Sequence, residues 1–100
     1  MLKPVKWTSL ADNDLSNLLE YLFNKWNQKV TLEFIDSLEY CISIVQKNPD
    51  LFPFYDDKLK IRKCVITSQN TLFYLETENQ IFILRLYDSR QNPNDLKFKL

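Results

Sequence analysis

Any chemistry in this chain has to run on arginine, lysine, tyrosine and carboxylates, because its 100 residues include no histidine and only two cysteines. Without imidazole there is no Ser-His-Asp or Cys-His relay and no acid–base pair poised near neutral pH. The familiar zinc sets draw on histidine and cysteine and cannot be assembled, so no metal or cofactor is expected. Asp56 and Asp57 are read as part of a loop, not as a metal site. Cys41 and Cys64 fall inside a predicted helix and a predicted strand among apolar neighbours, which predicts buried free thiols rather than a disulfide.

Four other side chains suggest a binding surface. Ile81, Ile83, Arg85 and Tyr87 recur at a spacing of two, so in a regular strand they share one face. If that face lies opposite the helices, it leaves an apolar strip beside an arginine, which suits a protein partner. Arg85 and Tyr87 equally suit a packed stem and a ring whose hydroxyl finds a backbone acceptor. The run Lys58, Lys60, Arg62 and Lys63 reads as a solvated basic face that discourages edge-to-edge strand pairing. Trp7 and Trp26 sit on apolar stripes and are expected in the core or a groove. Binding of single-stranded nucleic acid would call for exposed aromatics interleaved with basic residues, a pattern not found here.

Charge balance agrees. The chain has 13 Lys/Arg against 13 Asp/Glu, with five against seven in residues 1–50 and eight against six in residues 51–100. A dedicated nucleic-acid binder carries a larger basic surplus, because phosphate neutralisation dominates its affinity. No strong direct nucleic-acid binding is therefore expected. Charge and Pro4 stand where a signal peptide would need an apolar stretch, and no run approaches the length of a membrane span, so a cytoplasmic protein without membrane contact is expected.

The elements that must position these residues follow from periodicity. Val5–Thr8 alternates as a short strand, and Ser9 reads as the cap of a first helix, with Asp12 near its positive end. Ala11, Leu15, Leu18, Leu22 and Trp26 form an apolar stripe that Leu19 and Phe23 widen, while Asp14, Asn17, Glu20 and Asn24 fall largely elsewhere. Asn27 and Gln28 interrupt the stripe. Val30, Phe34, Leu38, Cys41, Ile42 and Val45 resume it to Lys47, which predicts a helical hairpin ended by Asn48-Pro49-Asp50.

Residues 51–57 lack a period and read as an ordered loop tucking its aromatic rings under the fold. From Lys60 the period becomes two. Lys60–Ile66, Thr71–Glu76 and Gln80–Asp88 predict an antiparallel meander, with Asn70 and Asn79 expected at positive φ because the chain has no glycine. Ser89–Leu100 reads as either a trailing arm or a short terminal helix. The whole is expected to be one α+β domain over residues 1–100, a two-layer βααβββ arrangement with the helical hairpin packed on a small, mainly antiparallel sheet.

This order resembles the RelE/ParE toxin superfamily of type II toxin–antitoxin systems, which includes plasmid stabilisation proteins. The resemblance is carried by Val5-Lys6-Trp7-Thr8 with Ala11 and Asp14-Leu15, Phe34-Ile35-Asp36-Ser37-Leu38, Lys47-Asn48-Pro49, Ile61-Arg62-Lys63, Thr71-Leu72-Phe73-Tyr74 and the run Ile81 to Pro93. It implies a growth-inhibiting toxin neutralised by a cognate antitoxin, acting either on DNA gyrase, as ParE-like members do, or on mRNA at the ribosome, as RelE-like members do.

For the nuclease the resemblance implies Arg62 and Arg90 at the phosphate and Tyr87 as a nearby proton-handling group. Two departures weigh against it. Thr71 stands where those nucleases commonly place an arginine, and the tail offers Phe98 instead of a titratable aromatic. A ParE-like toxin acting by protein–protein binding is therefore expected, with a ribosome-dependent mRNA endonuclease and an inactive toxin-fold binding module as the alternatives.

Overall fold

The computed structural model describes residues 2–99; Met1 and Leu100 lie outside the described residues. Strand β1 (Val5–Trp7) leads into helix α1 (Ser9–Lys25) and helix α2 (Gln28–Lys47). Strands β2 (Phe54–Asp56), β3 (Ile61–Thr67), β4 (Asn70–Glu76) and β5 (Ile81–Asp88) follow, and a 3-10 turn (Pro93–Asp95) closes the order. The strands form one sheet in the order β1-β5-β4-β3-β2, with β1 parallel to β5 and every other pair antiparallel. The α+β layering is as expected, with one strand more than the meander implied.

That strand, β2, lies in the segment expected to be a loop. Phe54 pairs opposite Arg62 and Asp56 opposite Ile61, with an irregularity between them. Three residues with a broken register carry no readable alternation, so the sequence hides this strand. Of its aromatics, Phe52 tucks under the fold edge-on to Tyr74, whereas Phe54 and Tyr55 stay exposed.

Capping differs by one residue from the expectation. Thr8, not Ser9, caps α1: its backbone is extended and its Oγ1 accepts the amide of Ala11. The hydroxyl also donates to Leu84 O (3.1 Å), tying the helix start to β5. Asn27, which interrupts the apolar period, caps α2 by accepting the amide of Val30 at 2.9 Å.

The helices cover the sheet with a narrower stripe than the sequence suggested. Ala11 and Leu18 of α1 and Phe34, Leu38 and Val45 of α2 are buried against Cys64, Leu72, Tyr74, Ile81, Ile83 and Leu86. Trp7 packs against this core half-buried. Phe23 and Trp26 do not join the stripe: Trp26 lies past the last helical residue and is 64% exposed.

Neither Asn70 nor Asn79 takes positive φ; that geometry falls to Lys60 at φ 62°. Threonine does the work at the hairpins instead. Thr67 Oγ1 accepts the amides of Gln69 and Asn70, and Thr77 Oγ1 both accepts from Gln80 N and donates to Gln80 O, so the turns close without a left-handed residue.

Candidate functional site

Strand β5 carries the expected partner face, but a bulge breaks the period on which that expectation rests. Phe73 stands opposite Arg85 and Tyr74 opposite Ile83, so Leu84 is an extra residue on β5. Before the bulge Ile81 and Ile83 point to the helices; after it Leu86 does. Leu84 and Tyr87 belong to a second cluster, on the other face, with Ile61 and Phe73.

Ile81, Ile83, Arg85 and Tyr87 therefore do not share one surface. The two isoleucines are fully buried under the helices and cannot receive a partner in this fold. The sequence could not decide the matter, because both faces of β5 are apolar: Phe82 and Leu84 are as fit for a core as Ile81 and Ile83.

Arg85 is turned toward α1. Its Nε donates to Asp14 Oδ2 at 2.7 Å and its Nη2 to Asp14 Oδ1 at 3.0 Å, while the Leu86 amide also donates to Oδ2 at 3.0 Å. Asp14 thus takes the place of a strand neighbour where β1 has ended and β5 would otherwise show a bare edge. The two-pronged bond to Asp14 holds the Arg85 guanidinium above its already high pKa despite partial burial. The sequence reading did not single out Asp14 as a partner for Arg85, yet it stands three after Ala11 and four before Leu18, on the stripe itself.

The remaining nitrogen of Arg85, Nη1, donates to the carbonyls of Asp95 (3.3 Å) and Lys97 (2.9 Å). It anchors the tail, which contains the 3-10 turn and then an extended run. Leu96 and Phe98 of that run pack on the outer cluster, with Phe98 edge-on to Phe73 and beside Tyr55. The sheet face opposite the helices is thus partly covered by the chain's own tail.

The three nuclease candidates are also occupied and apart. Arg62 Nη1 donates to Phe52 O (2.7 Å) and Asp50 O (3.3 Å), and its guanidinium lies 3.9 Å over the Phe54 ring. Within the basic run, Arg62 therefore braces the segment entering β2 while Lys58, Lys60 and Lys63 stay exposed. Tyr87 donates to Gln91 O at 2.8 Å on the outer face.

Arg90 pairs with Asp88 at 2.6 Å and lies over the Tyr21 ring; the pair pulls Asp88 below the usual carboxylate range and pushes Arg90 up. Arg62 is level with Ile83 in register, whereas Arg90 lies beyond Asp88 at the far end of β5. Four steps along β4, from Tyr74 to Asn70, separate those levels, roughly 13 Å. Thr71, in register with Tyr87 and Val65, adds no cation between them.

Both thiols are free, with Cys64 buried and Cys41 only partly so. Burial, with Cys41 close by, pushes the Cys64 thiol up to about 12. Among the described residues no helix is long and apolar enough to cross a membrane.

A helical hairpin over one face of a five-stranded sheet, with the first strand parallel to the last, is the architecture of toxin chains from bacterial toxin–antitoxin pairs. The structure is similar to a chain of the chromosomal ParDE toxin–antitoxin system of P. aeruginosa, with a TM-score of 0.73 and 15% identity over 87% of this chain and 96% of that one. It is also similar to a chain of the E. coli DinJ-YafQ toxin–antitoxin complex (0.62, 10% identity, 90% and 96% covered) and to the YoeB/ParE toxin from Agrobacterium tumefaciens (0.60, 14%, 85% and 97%). These likenesses are of fold alone. No curated protein matches the sequence. The family model of the ParE toxin of the type II toxin–antitoxin system parDE matches residues 5–93, and the chain belongs to that family.

Proposed function

We propose that this toxin acts by binding rather than by catalysis: it blocks an essential enzyme, with DNA gyrase as the target the family implies, and a cognate antitoxin neutralises it. The observation that carries this reading is the state of Arg62. A nuclease of the RelE kind needs free cationic groups converging on one phosphate and a proton-handling residue beside it. Arg62 instead holds two backbone carbonyls and an aromatic ring, Arg90 is paired with Asp88, and Tyr87 is bonded to Gln91 on the opposite sheet face from Arg62. Releasing Arg62 would break the contacts that brace the segment entering β2, and Arg90 would have to leave Asp88.

The test is a pair of assays on the purified chain, one of gyrase supercoiling and one of translating ribosomes followed by primer extension on the mRNA. Inhibited supercoiling with intact mRNA is expected. Codon-specific cleavage that vanishes in Arg62→Ala with Arg90→Ala would replace this reading with the nuclease. If expression causes no growth arrest and neither assay responds, the chain is a binding module only.

A further inference from the structure

Neither Phe54 nor Tyr55 tucks under the fold. They are 37% and 48% exposed on β2, the edge strand of the sheet, and the turn and strand that follow carry Lys58, Lys60, Arg62 and Lys63. Exposed aromatics interleaved with cations, the pattern that single-strand binding calls for, are therefore present at this edge. They escape a reading of the sequence because residues 51–57 look like a loop that hides its rings.

The two rings differ in state. Phe54 already has the Arg62 guanidinium 3.9 Å from its centre and the Lys60 ammonium at 5.3 Å. Tyr55 leans edge-on against Phe73 at 4.8 Å and tilted against Phe98 at 5.8 Å, so its ring is held in place while about half of the residue meets solvent. Phe98 brings the tail alongside, with Lys97 and Lys99 exposed on either side of it.

The charges at this edge are largely unspent. Lys60 is paired with Asp57, but among the described residues Lys58, Lys63, Lys97 and Lys99 enter no ion pair. Arg62 bonds only to neutral carbonyls and an aromatic ring, which leave its charge in place. The zero formal charge of the chain thus hides a polarised molecule: α1 and α2 together carry six carboxylates against three lysines, and the cations gather at the opposite side.

We propose that the β2 edge and the tail beside it bind a single strand of nucleic acid, one base stacking on Tyr55 and the neighbouring phosphates meeting Lys58, Lys63, Lys97 and Lys99. A duplex matches the charge but keeps its bases stacked inside, away from the ring. An acidic polypeptide matches the charge as well, but its apolar side chains would find the centre of this face already taken by Leu96 and Phe98. Holding a strand requires no cleavage chemistry, so the site stands whichever enzyme the toxin blocks.

The experiment is a fluorescence anisotropy titration of the full chain at low salt, with labelled oligothymidylate, oligouridylate and a duplex of equal length. Saturable binding to a single strand is expected, tighter than to the duplex and weakening as salt rises, because phosphate contacts release counterions. Either single strand alone meets the proposal and names the source, DNA or RNA. Tyr55→Leu keeps an apolar contact with Phe73 and Phe98 but has no flat face, and should weaken single-strand binding about tenfold, equivalent to about 1.4 kcal/mol, with the duplex unaffected. Lys58→Ala with Lys63→Ala, both at exposed positions, should weaken it too and flatten the salt dependence. No saturable binding by the folded chain overturns the proposal, as does a duplex bound as tightly as the single strands. Full binding by folded Tyr55→Leu, or by the folded double variant, also overturns it. If polyglutamate displaces the label as readily as unlabelled oligonucleotide does, the site is one for acidic polypeptide and the proposal falls.

Discussion

Asp14 and Arg85 are the residues on which the helix layer and the sheet depend most directly for polar pairing. Their side chains are 13% and 11% exposed, and Asp14 also satisfies the Leu86 amide. Replacing Asp14 by alanine leaves Nε and Nη2 of a part-buried guanidinium and a strand amide without their acceptor. The expected loss is about 1.5–3 kcal/mol, the range for losing hydrogen bonds to a charged group, read as a lower denaturation midpoint. Arg85→Glu should be as harmful, since it sets two carboxylates face to face. Sequence reading found Arg85 but gave it to a partner, because a lone arginine in a strand does not announce which helix carries its carboxylate. The position of Asp14 on the apolar stripe was the legible clue.

Cys64 makes a second residue-scale prediction. Its raised pKa means the neutral thiol is favoured in the folded chain, so the stability this contributes is full below the unfolded value near 9 and falls as pH rises toward about 12. Cys64→Ala should flatten that alkaline decline in a comparison of midpoints at pH 8 and pH 10. In the native protein at pH 8, a disulfide reagent should modify the partly exposed Cys41 first and reach Cys64 at the rate of unfolding. Equal labelling rates at the two cysteines would show that the core around β3 opens.

At the scale of elements, the long periodic segments were readable and the short ones were not. Helix α2 runs 20 residues with Phe34, Leu38 and Val45 buried on one side, a pattern that repeats often enough to be unmistakable. Leu38, 4% exposed, sits in the helix-side core; Leu38→Ala should cost about 2–5 kcal/mol by emptying that place, and an unchanged urea midpoint would contradict the packing. Strand β2 has three residues and a broken register, too few for a period. The cap of α1 shifted from Ser9 to Thr8 because both residue types suit that position, and only the contact of Thr8 with Leu84 O decides between them. The bulge at Leu84 had no sequence mark at all, since it arises from how β4 and β5 register, and it separates Arg85 and Tyr87 from the two isoleucines, which are buried under the helices on their own account.

For the whole molecule, the two-layer arrangement was legible because the helices and the meander each bury one apolar face. What was not legible is that the second sheet face is apolar as well and that the tail lies over it. Ile61, Phe73, Leu84 and Tyr87 are buried there under Leu96 and Phe98. Those two tail residues lie beyond residues 5–93, the part that matches the family. The polar composition of Ser89–Leu100 hid a pair of apolar anchors spaced two apart, the spacing of an extended strand laid on a surface.

The position of β1 has a consequence for how the toxin comes into being. Among the described residues the first strand has only one neighbour, β5, with Val5 opposite Ile81, so it must wait for a strand synthesised much later. Pairings so distant in sequence slow folding, because the intervening chain must be ordered before the contact rewards it. On the ribosome, α1 and α2 can form early, but α1 lacks β5, the strand it packs against most, until β5 has emerged. A fragment ending at residue 80 is expected to show helix by far-ultraviolet circular dichroism and no fixed aromatic signal in the near ultraviolet; a native-like near-ultraviolet spectrum would refute this. The chain therefore completes its fold only late in its own translation.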